Sequence, residues 1–270
     1  MALELPAPIA LGRTAEIFPW GDNGHILKLY HDWCPPNWVE YEAKIARIIT
    51  QAGIPSPAVD KILEMNGRRG IIYERVDGIS MLQDMNMHPW TIWKHARSLA
   101  ELQVKVNQLS VPDLPSYKNG LKFAIRRTPR LETALREQAL AKLETLSDGQ
   151  NLCHGDFHPG NVIITAKGPV VIDWMTACRG SRWADVARAQ LLLTIGAKGA
   201  GKQVSPVILL FVRLFHNAYL FRYLALIPDQ KHELENWSPV IAAARLDEQI
   251  EPERKALLEM IGKGLAKSNK

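Results

Sequence analysis

The stretch LCHGDFHPGNVIITAKGPVVIDW, from Leu152 to Trp174, decides the fold, because it places polar residues in a short β-rich island between two helical regions. Its pattern predicts a loop, a strand at Val162–Thr165, a turn at 166–169 and a second strand at Val170–Asp173. Such a hairpin would fold Asp173 back beside the loop that precedes the first strand.

Three polar residues of this island need a chemical explanation: Asp156, Asn161 and Asp173. Phosphoryl transfer uses a carboxylate that orients the attacking hydroxyl, and oxygen ligands for a magnesium ion that bridges the phosphates. Two carboxylates and an amide oxygen supply such a set. Pro159 and Gly160 give the loop one rigid and one permissive backbone position, which suits a tightly shaped turn.

The segment HGDFHPGN, from His154 to Asn161, resembles the HGDxHPxN loop of the aminoglycoside phosphotransferase and choline kinase-like family, which is related to the protein kinases. The resemblance implies that Asp156 is the catalytic base and that Asn161 and Asp173 bind Mg²⁺. It also implies ATP or GTP as the phosphoryl donor and a structural role for His154. The acceptor would be a hydroxyl group of a small molecule.

Other interpretations of the island remain open. The loop could be an ordinary turn rich in turn-forming residues. His154, Asp156 and His158 form an HxDxH pattern that could bind the metal of a hydrolase, although no partner motif for further ligands is recognisable. The chain could also be a catalytically silent, nucleotide-binding pseudokinase.

An upstream lysine is predicted to contact the nucleotide. Lys28 lies in HILKLYH (25–31), an alternating strand pattern that places it on one face with Ile26 and Tyr30. An unpaired ammonium among apolar residues would be costly, so Lys28 needs an anionic partner.

The helix after this strand offers that partner. One stripe of the helix contains four residues spaced like neighbouring turns: Trp38, Glu42, Ile45 and Ile49. Glu42 therefore faces the sheet and is predicted to pair with Lys28. Alternatively, Lys28 reaches solvent from an edge strand and Glu42 lies at the rim.

Two further segments resemble the nucleotide-binding parts of the family. LGRTAEIF (11–18) is similar to its first hairpin, which implies phosphate contacts from the backbone near Gly12, Arg13 and Thr14. The segment has a single glycine. IIYERVDG (71–78) is similar to the hinge strand, which implies adenine contacts from the backbone near Glu74 and Val76.

The remaining pattern gives the element boundaries. A capping box at Asn37 and Glu40 predicts a helix to about Ala52, and strands are predicted at 58–65 and 70–76. Helices are predicted at 90–109 and at 129–146, the latter with Thr128 as N-cap. The apolar segment 207–227 is interrupted by polar residues and is predicted to be a buried helix rather than a membrane anchor.

Together these patterns predict an α+β, protein-kinase-like two-lobe fold. Residues 1–76 would form a nucleotide-binding lobe with a small antiparallel sheet and one helix. Residues 77–270 would form a larger, mainly helical lobe for catalysis and substrate binding. Within it, Asp185 resembles the family's structural Asp, which implies that Asp185 braces the catalytic loop through hydrogen bonds with its backbone.

The acceptor is less defined. From Met175 onward, fourteen Lys and Arg residues stand against nine Asp and Glu, which disfavours a polycationic antibiotic and favours a metabolite. Aromatic residues of this region could line a pocket, but at helical spacing they are more typical of a core: Trp174, Trp183, Tyr219, Tyr223 and Trp237.

Composition narrows the partners and the compartment. The net charge is +5, but the basic residues are scattered among acidic ones, so we expect no nucleic-acid partner. The three widely spaced cysteines form neither a disulfide framework nor a zinc pattern, and no signal peptide is evident. A cytoplasmic protein without a membrane partner is expected. The oligomeric state is not indicated.

Overall fold

The computed structural model describes residues 5–21, 24–196, 205–228 and 231–267. The chain divides into two compact units. The first extends to Gln83 and also contains Gly160–Met175, and the second contains Asp84–Pro159 and the chain from Thr176 onward. These units describe packing, so the functional boundary predicted between residues 76 and 77 stays a prediction.

The strands, in chain order, are β1 (Ala10–Leu11), β2 (Ala15–Trp20), β3 (His25–Tyr30), β4 (Val59–Met65), β5 (Arg68–Glu74), β6 (Ile79–Ser80), β7 (Asn151–Cys153), β8 (Val162–Thr165), β9 (Gly168–Val171) and β10 (Cys178–Gly180). The α-helices are α1 (Pro36–Gln51), α2 (Met81–Met87), α3 (Ile92–Gln108), α4 (Tyr117–Arg127), α5 (Thr133–Thr145), α6 (Arg182–Thr194), α7 (Pro206–Leu226), α8 (Lys231–Arg245) and α9 (Arg254–Lys267).

The first unit is built on an antiparallel sheet with strand order β1-β2-β3-β5-β4. Alternation along β3 divides its side chains between two hydrophobic clusters. Tyr30 packs with Ile71 and with Ala43 of α1, whereas Leu27 and Leu29 pack in a second cluster. Lys28 therefore lies on the face that α1 covers, as the alternation predicts.

A smaller sheet, β6-β8-β9, completes the first unit. In the β8–β9 hairpin Val162 pairs with Val171 and Thr165 pairs with Gly168, so the connecting turn has two central residues rather than the four predicted. The backbone N–H of Val171 also donates to the carbonyl of Pro55 at 2.9 Å. These contacts fix the hairpin within this unit.

The second unit is mainly helical. A short antiparallel pair, β7 and β10, places Cys153 opposite Cys178 and Asn151 opposite Gly180. Around this pair α3 packs against α7, and α8 packs against α6 and α9. An antiparallel sheet with one large helix, followed by a mainly helical portion, is the arrangement that the sequence predicts.

Two predicted helix starts are wrong. The N-cap of α1 is Pro35 without a side-chain hydrogen bond, so Asn37 lies inside the first turn and forms no capping box. Thr128 follows α4, and its hydroxyl accepts from the Arg130 N–H at 3.4 Å in a turn. Its extended backbone is what a residue before proline favours. Helix α5 begins only at Thr133.

Helix α7 is less buried than its apolar sequence predicts. One stripe is buried, formed by Phe215, Tyr219 and Tyr223. Several apolar side chains on its remaining surface are exposed: Val207, Ile208, Leu210, Phe211 and Phe221. Helix α7 is long and apolar enough to cross a membrane. One such helix is weak evidence for a membrane span, because a helix in a protein core can meet the same criterion. The prediction of a buried helix therefore holds for one face only.

A glycine before β6 permits the close approach of β8. A Cβ at Gly78 would collide with the carbonyl oxygen of Ile164 and would lie 2.8 Å from Cγ2 of Ile163. We expect Gly78→Ala to lower the free energy of unfolding by about 1–3 kcal/mol, as overpacking does. Thermal or denaturant unfolding measures this change.

Gly120 is the matched control, because it lies in α4 with open space around the added Cβ. Gly120→Ala should raise stability by about 0.5–1 kcal/mol through helix propensity. Equal effects of the two substitutions would contradict the packing argument.

Candidate active site

In the first unit, Lys28 contacts two carboxylates. Its Nζ donates to Oε1 of Glu42 at 2.7 Å and to Oδ1 of Asp173 at 3.2 Å. The Lys28 side chain is 14% exposed and that of Glu42 is 3% exposed, so this ion pair is largely removed from water. The contact between Lys28 and Glu42 agrees with the sequence prediction, and the edge-strand alternative is wrong.

Two tyrosine hydroxyls complete the surroundings of Glu42. Tyr30 donates to its Oε2 and Tyr73 donates to its Oε1 at 3.0 Å. Both tyrosines lie on the sheet face that α1 covers. The buried carboxylate of Glu42 thus accepts three hydrogen bonds, which fix its position opposite Lys28.

The surroundings of Lys28, Tyr30 and Tyr73 raise the pKa of all three side chains and so favour their protonated forms. Burial disfavours the ammonium of Lys28, but Glu42 and Asp173 outweigh burial and raise the pKa of Lys28. Burial and the neighbouring carboxylate of Glu42 raise the pKa of both tyrosines, Tyr30 and Tyr73. The lysine therefore stays charged, and the two hydroxyls stay hydrogen-bond donors.

The β8–β9 hairpin places Asp173 beside Asn161. The backbone N–H of Ile172 donates to the carbonyl of Asn161 at 3.0 Å. Asp173 has a left-handed backbone with φ 63°, a conformation that Asp and Asn adopt more readily than most residues, and its side chain is 48% exposed. A carboxylate and an amide are oxygen ligands of the kind that magnesium prefers, so the residue types fit this metal.

The other predicted nucleotide contacts belong to the same unit. Gly12, Arg13 and Thr14 form the turn between β1 and β2, with the Gly12 N–H donating to the carbonyl of Ala15 at 2.8 Å. The carbonyl of Thr14 accepts from the backbone of His31 at 2.9 Å. Arg13 is exposed.

The predicted hinge begins at the end of β5. Glu74 is the last residue of that strand, and its N–H donates to the carbonyl of Ala58 at 2.8 Å. Val76 lies in the segment that follows, outside regular secondary structure. The adenine contacts implied for these two residues stay predictions.

In the second unit, the segment His154–Pro159, called here the HGD loop, is held at Gly155. The Gly155 N–H donates to Oδ1 of Asp185 at 2.8 Å, and its carbonyl accepts from Nε of Arg188 at 3.2 Å. Gly155 has φ 77°, and a Cβ there would lie 2.8 Å from the carbonyl of Thr176. Glycine is required at this position because the conformation is left-handed and the space is occupied.

Asp156 follows directly and lies near basic side chains. His158 Nε2 is 3.6 Å from its Oδ2. Burial acts to raise the pKa of Asp156, but His158 and the charge of Arg188 lower it to about 2. The side chain is thus a carboxylate at neutral pH.

His154 is buried inside the HGD loop. Its Nδ1 accepts from the Asp156 N–H at 3.2 Å, and its ring packs edge-on against Phe157 with ring centroids 5.6 Å apart. Thr176 donates to the His154 carbonyl at 2.8 Å. Among the described residues, no three His, Cys, Asp or Glu side chains form a cluster suited to a metal ion. This geometry does not favour the hydrolase alternative at His154, Asp156 and His158.

Sequence reasoning missed several residues that contact these groups. Tyr30 shares the face of Lys28 at two residues' distance, so the strand alternation could have identified it as a partner of Glu42. Tyr73 needed the β3–β5 pairing, in which Ile26 lies opposite it. Arg188 lies one turn after Asp185 on α6, a spacing that indicates a shared face but no partner.

With this geometry in place, the comparison with known proteins identifies the family. A model of the phosphotransferase enzyme family matches residues 20–204, which is more than half of the chain. The chain belongs to the phosphotransferase enzyme family. The predicted class of enzyme, a small-molecule phosphotransferase, is thereby confirmed. A search of curated proteins gives no match to this phosphotransferase.

Solved structures share the fold of this phosphotransferase. A thermostable mutant of the aminoglycoside phosphotransferase APH(4)-Ia, in complex with AMP-PNP and hygromycin B, is similar with a TM-score of 0.63 at 15% identity, covering 96% of this chain and 90% of the other. Amicoumacin kinase hAmiN gives a TM-score of 0.63 at 12% identity, covering 97% and 88%. Choline kinase LicA from Streptococcus pneumoniae gives 0.58 at 12%, covering 99% and 95%.

At these identities the likeness shows the fold alone. It confirms the predicted protein-kinase-like fold and the resemblance to aminoglycoside phosphotransferases and choline kinases.

The low pKa of Asp156 gives a pH dependence of stability. A carboxyl with a pKa of about 2 in the folded chain and about 3.9 in the unfolded chain stabilises the fold above the unfolded value. That contribution is lost as the pH falls from about 4 towards 2. Asp156→Asn lacks this titrating carboxyl, so the stability of the native protein relative to the variant should fall as the pH is lowered over this range.

Melting temperatures of both proteins from pH 6 to pH 2.5 measure this difference. Asp113→Asn, at an exposed loop position, is the control for general effects of acid. A difference between native protein and Asp156→Asn that stays constant with pH would contradict the assignment.

Proposed function

We propose that this phosphotransferase transfers the γ-phosphoryl group of ATP or GTP to a hydroxyl group of a small molecule, with Mg²⁺ bound by Asn161 and Asp173. One observation carries the proposal: Lys28 holds both Glu42 and Asp173 by hydrogen bonds. A lysine paired with a helix glutamate, together with a nearby metal-binding aspartate, is the arrangement that kinase-type phosphoryl transfer uses. AMP-PNP in the complexes of APH(4)-Ia and of amicoumacin kinase supports the choice of nucleotide.

Lys28 would bind the phosphates of the nucleotide. Its ammonium remains charged because Glu42 and Asp173 raise its pKa. Glu42 orients the ammonium and is itself held by Tyr30 and Tyr73. The turn at Gly12–Thr14 would add backbone N–H groups and the Arg13 charge near the phosphates, and the backbone at Glu74 and Val76 would contact the base.

Asp156 would orient the acceptor hydroxyl. Its pKa of about 2 makes it a carboxylate at neutral pH, ready to accept a hydrogen bond. So low a pKa also makes it a weak base, which suits a transfer in which the hydroxyl proton leaves late, after bonding to phosphorus has begun. Gly155 and Asp185 fix the loop beside it.

Magnesium bound by the oxygens of Asn161 and Asp173 would offset the negative charge of the phosphates. The contact of Lys28 with Asp173 links the predicted metal ligand to the predicted phosphate-binding lysine. Asp156 is assigned no metal contact. This division of roles predicts different behaviour for the two aspartates when each is replaced by asparagine.

The acceptor is proposed to be a metabolite rather than a polycationic antibiotic, because basic residues exceed acidic ones from Met175 onward. Hygromycin B, bound in the complex of APH(4)-Ia, and choline, in the name of choline kinase LicA, are chemically different molecules, so the fold alone does not fix the acceptor. We place the enzyme in the cytoplasm, where the free, buried cysteines Cys34, Cys153 and Cys178 would remain reduced.

Replacement of each aspartate by asparagine tests these roles. Asp156→Asn should lower turnover by roughly 10²–10⁴-fold with little change in nucleotide affinity, because an acid–base group is lost. Asp173→Asn should raise the magnesium requirement and weaken nucleotide binding, since it removes a ligand charge. Asn tolerates the left-handed backbone at position 173, so the loop should keep its shape.

The measurements are ADP release with a panel of metabolites and antibiotics, and nucleotide affinity, for both variants. An equal loss of nucleotide affinity in the two variants would refute the role given to Asp156. A pseudokinase would bind nucleotide and release no ADP with any acceptor. A hydrolase would show no dependence on nucleotide and would lose bound metal when His158 is changed.

Lys28→Met tests the lysine separately. It should weaken binding of ATP with Mg²⁺ by at least about tenfold, because one phosphate contact of an ammonium is lost. The fold should persist, since Tyr30 and Tyr73 still donate to Glu42. Isothermal titration with AMP-PNP and Mg²⁺ measures the affinity.

Lys61→Met, at an exposed position of β4 in the same sheet, is the matched control and should bind AMP-PNP like the native protein. Native-like nucleotide affinity of Lys28→Met would exclude Lys28 from the phosphate site.

A further inference from the structure

A buried hydrogen-bond network in the second unit extends from Gly155 to α7. Besides the N–H of Gly155, Asp185 accepts from Nε2 of Gln103 at 2.9 Å and from Nδ2 of Asn107 at 3.0 Å. Both amides lie on α3 and are fully buried. Asp185 therefore collects three N–H donors from two different elements.

The surroundings dictate which end of each amide faces Asp185. Nδ2 of Asn107 donates both to Asp185 and to the carbonyl of Leu152 at 2.9 Å. Both of these are acceptors, so the NH₂ end must point towards them, and the amide oxygen must point away. Gln103 has the same polarity, with its NH₂ end towards Asp185.

Two tyrosines of α7 supply the donors that the amide oxygens need. Tyr219 donates to Oε1 of Gln103, and Tyr223 donates to Oδ1 of Asn107 at 3.0 Å. Both tyrosines are fully buried. Burial raises the pKa of each hydroxyl, so both remain protonated donors at neutral pH.

We propose that Tyr219 and Tyr223 are positioning residues for the HGD loop, acting through Gln103, Asn107 and Asp185 on the backbone of Gly155. The proposal rests on the proposed function only in naming Asp156, the next residue, as the group that is positioned. Helix α7 thereby has a role in the site, whereas the sequence predicts only that its tyrosines belong to the core or line a pocket.

The direction of each hydrogen bond explains why the hydroxyls matter. If Tyr219 loses its oxygen, Oε1 of Gln103 is left buried without a donor, a state that costs stability. Rotation of the amide would relieve this, but it would turn the oxygen towards the carboxylate of Asp185, which repels it. Either way Asp185 is less firmly held, and so is the N–H of Gly155.

Hydrogen exchange at the Gly155 amide tests the network in the full-length protein without any ligand. Tyr219→Phe removes one oxygen and keeps the ring. We expect it to accelerate exchange at Gly155 by about threefold to tenfold, the effect of one lost buried hydrogen bond. Tyr223→Phe should do the same through Asn107. Amides of α9 should be unchanged.

Phe215→Leu is the matched control, because Phe215 is buried one turn before Tyr219 on the same stripe and has no hydroxyl. It should leave exchange at Gly155 unchanged. Equal acceleration in Phe215→Leu and Tyr219→Phe would overturn the proposal, since packing of α7 rather than the hydroxyl would then hold the loop.

A double-mutant cycle with Gln103→Met locates the coupling. Once the amide is absent, removal of the Tyr219 hydroxyl should accelerate exchange at Gly155 no further. Additive effects of Tyr219→Phe and Gln103→Met would show that the hydroxyl acts by another route and would overturn the relay.

A catalytic arm distinguishes failure of this inference from failure of the proposed function. With ATP, Mg²⁺ and water as acceptor, Tyr219→Phe should lower the rate of ADP release and leave KM for ATP unchanged. An equal rise in KM for ATP would overturn the positioning role. If the native protein releases no ADP with water or with any acceptor of the panel, the proposed function fails, and exchange at Gly155 alone decides the relay.

Discussion

In the second unit one buried carboxylate, that of Asp185, must receive hydrogen bonds from the surrounding chain, and the packing around it depends on this requirement. An ionised group is costly to bury, and each hydrogen bond to a charged group contributes about 1.5–3 kcal/mol to stability. The Gly155 N–H, Gln103 and Asn107 meet this need. The carboxylate of Asp185 therefore links the HGD loop to helices α3 and α6. Asp185 can be buried at low cost only when Gly155 adopts the conformation that directs its N–H to this carboxylate.

Glu42 plays the corresponding part in the first unit. It is buried and accepts from Lys28, Tyr30 and Tyr73. In both units tyrosine hydroxyls stay protonated because burial raises their pKa, so they serve as donors of fixed direction. In the first unit the tyrosine hydroxyls orient the carboxylate of Glu42 directly. In the second unit they orient two side-chain amides, which in turn hold the carboxylate of Asp185.

The differences between the predicted and observed fold have local physical causes. The predicted helix boundaries are wrong where a proline restricts the residue before it, as at Thr128, or where the helix begins before the residue taken as its cap, as at Asn37. The burial of α7 was overestimated because apolar content does not show how many sides of a helix are covered. Only the stripe containing Tyr219 packs inward.

The sequence by itself determined the α+β class, the β-hairpin that precedes Asp173, and the pairing of Lys28 with Glu42, because these depend on strand and helix periodicity and on a short motif. Tertiary structure decided which side chains meet across distant segments: Tyr73 with Glu42, Arg188 with Gly155, and α3 with Asp185. Periodicity assigns each residue to a face of its own element. Which donor meets which acceptor is settled only when two such faces are packed together and no buried polar group is left unpaired.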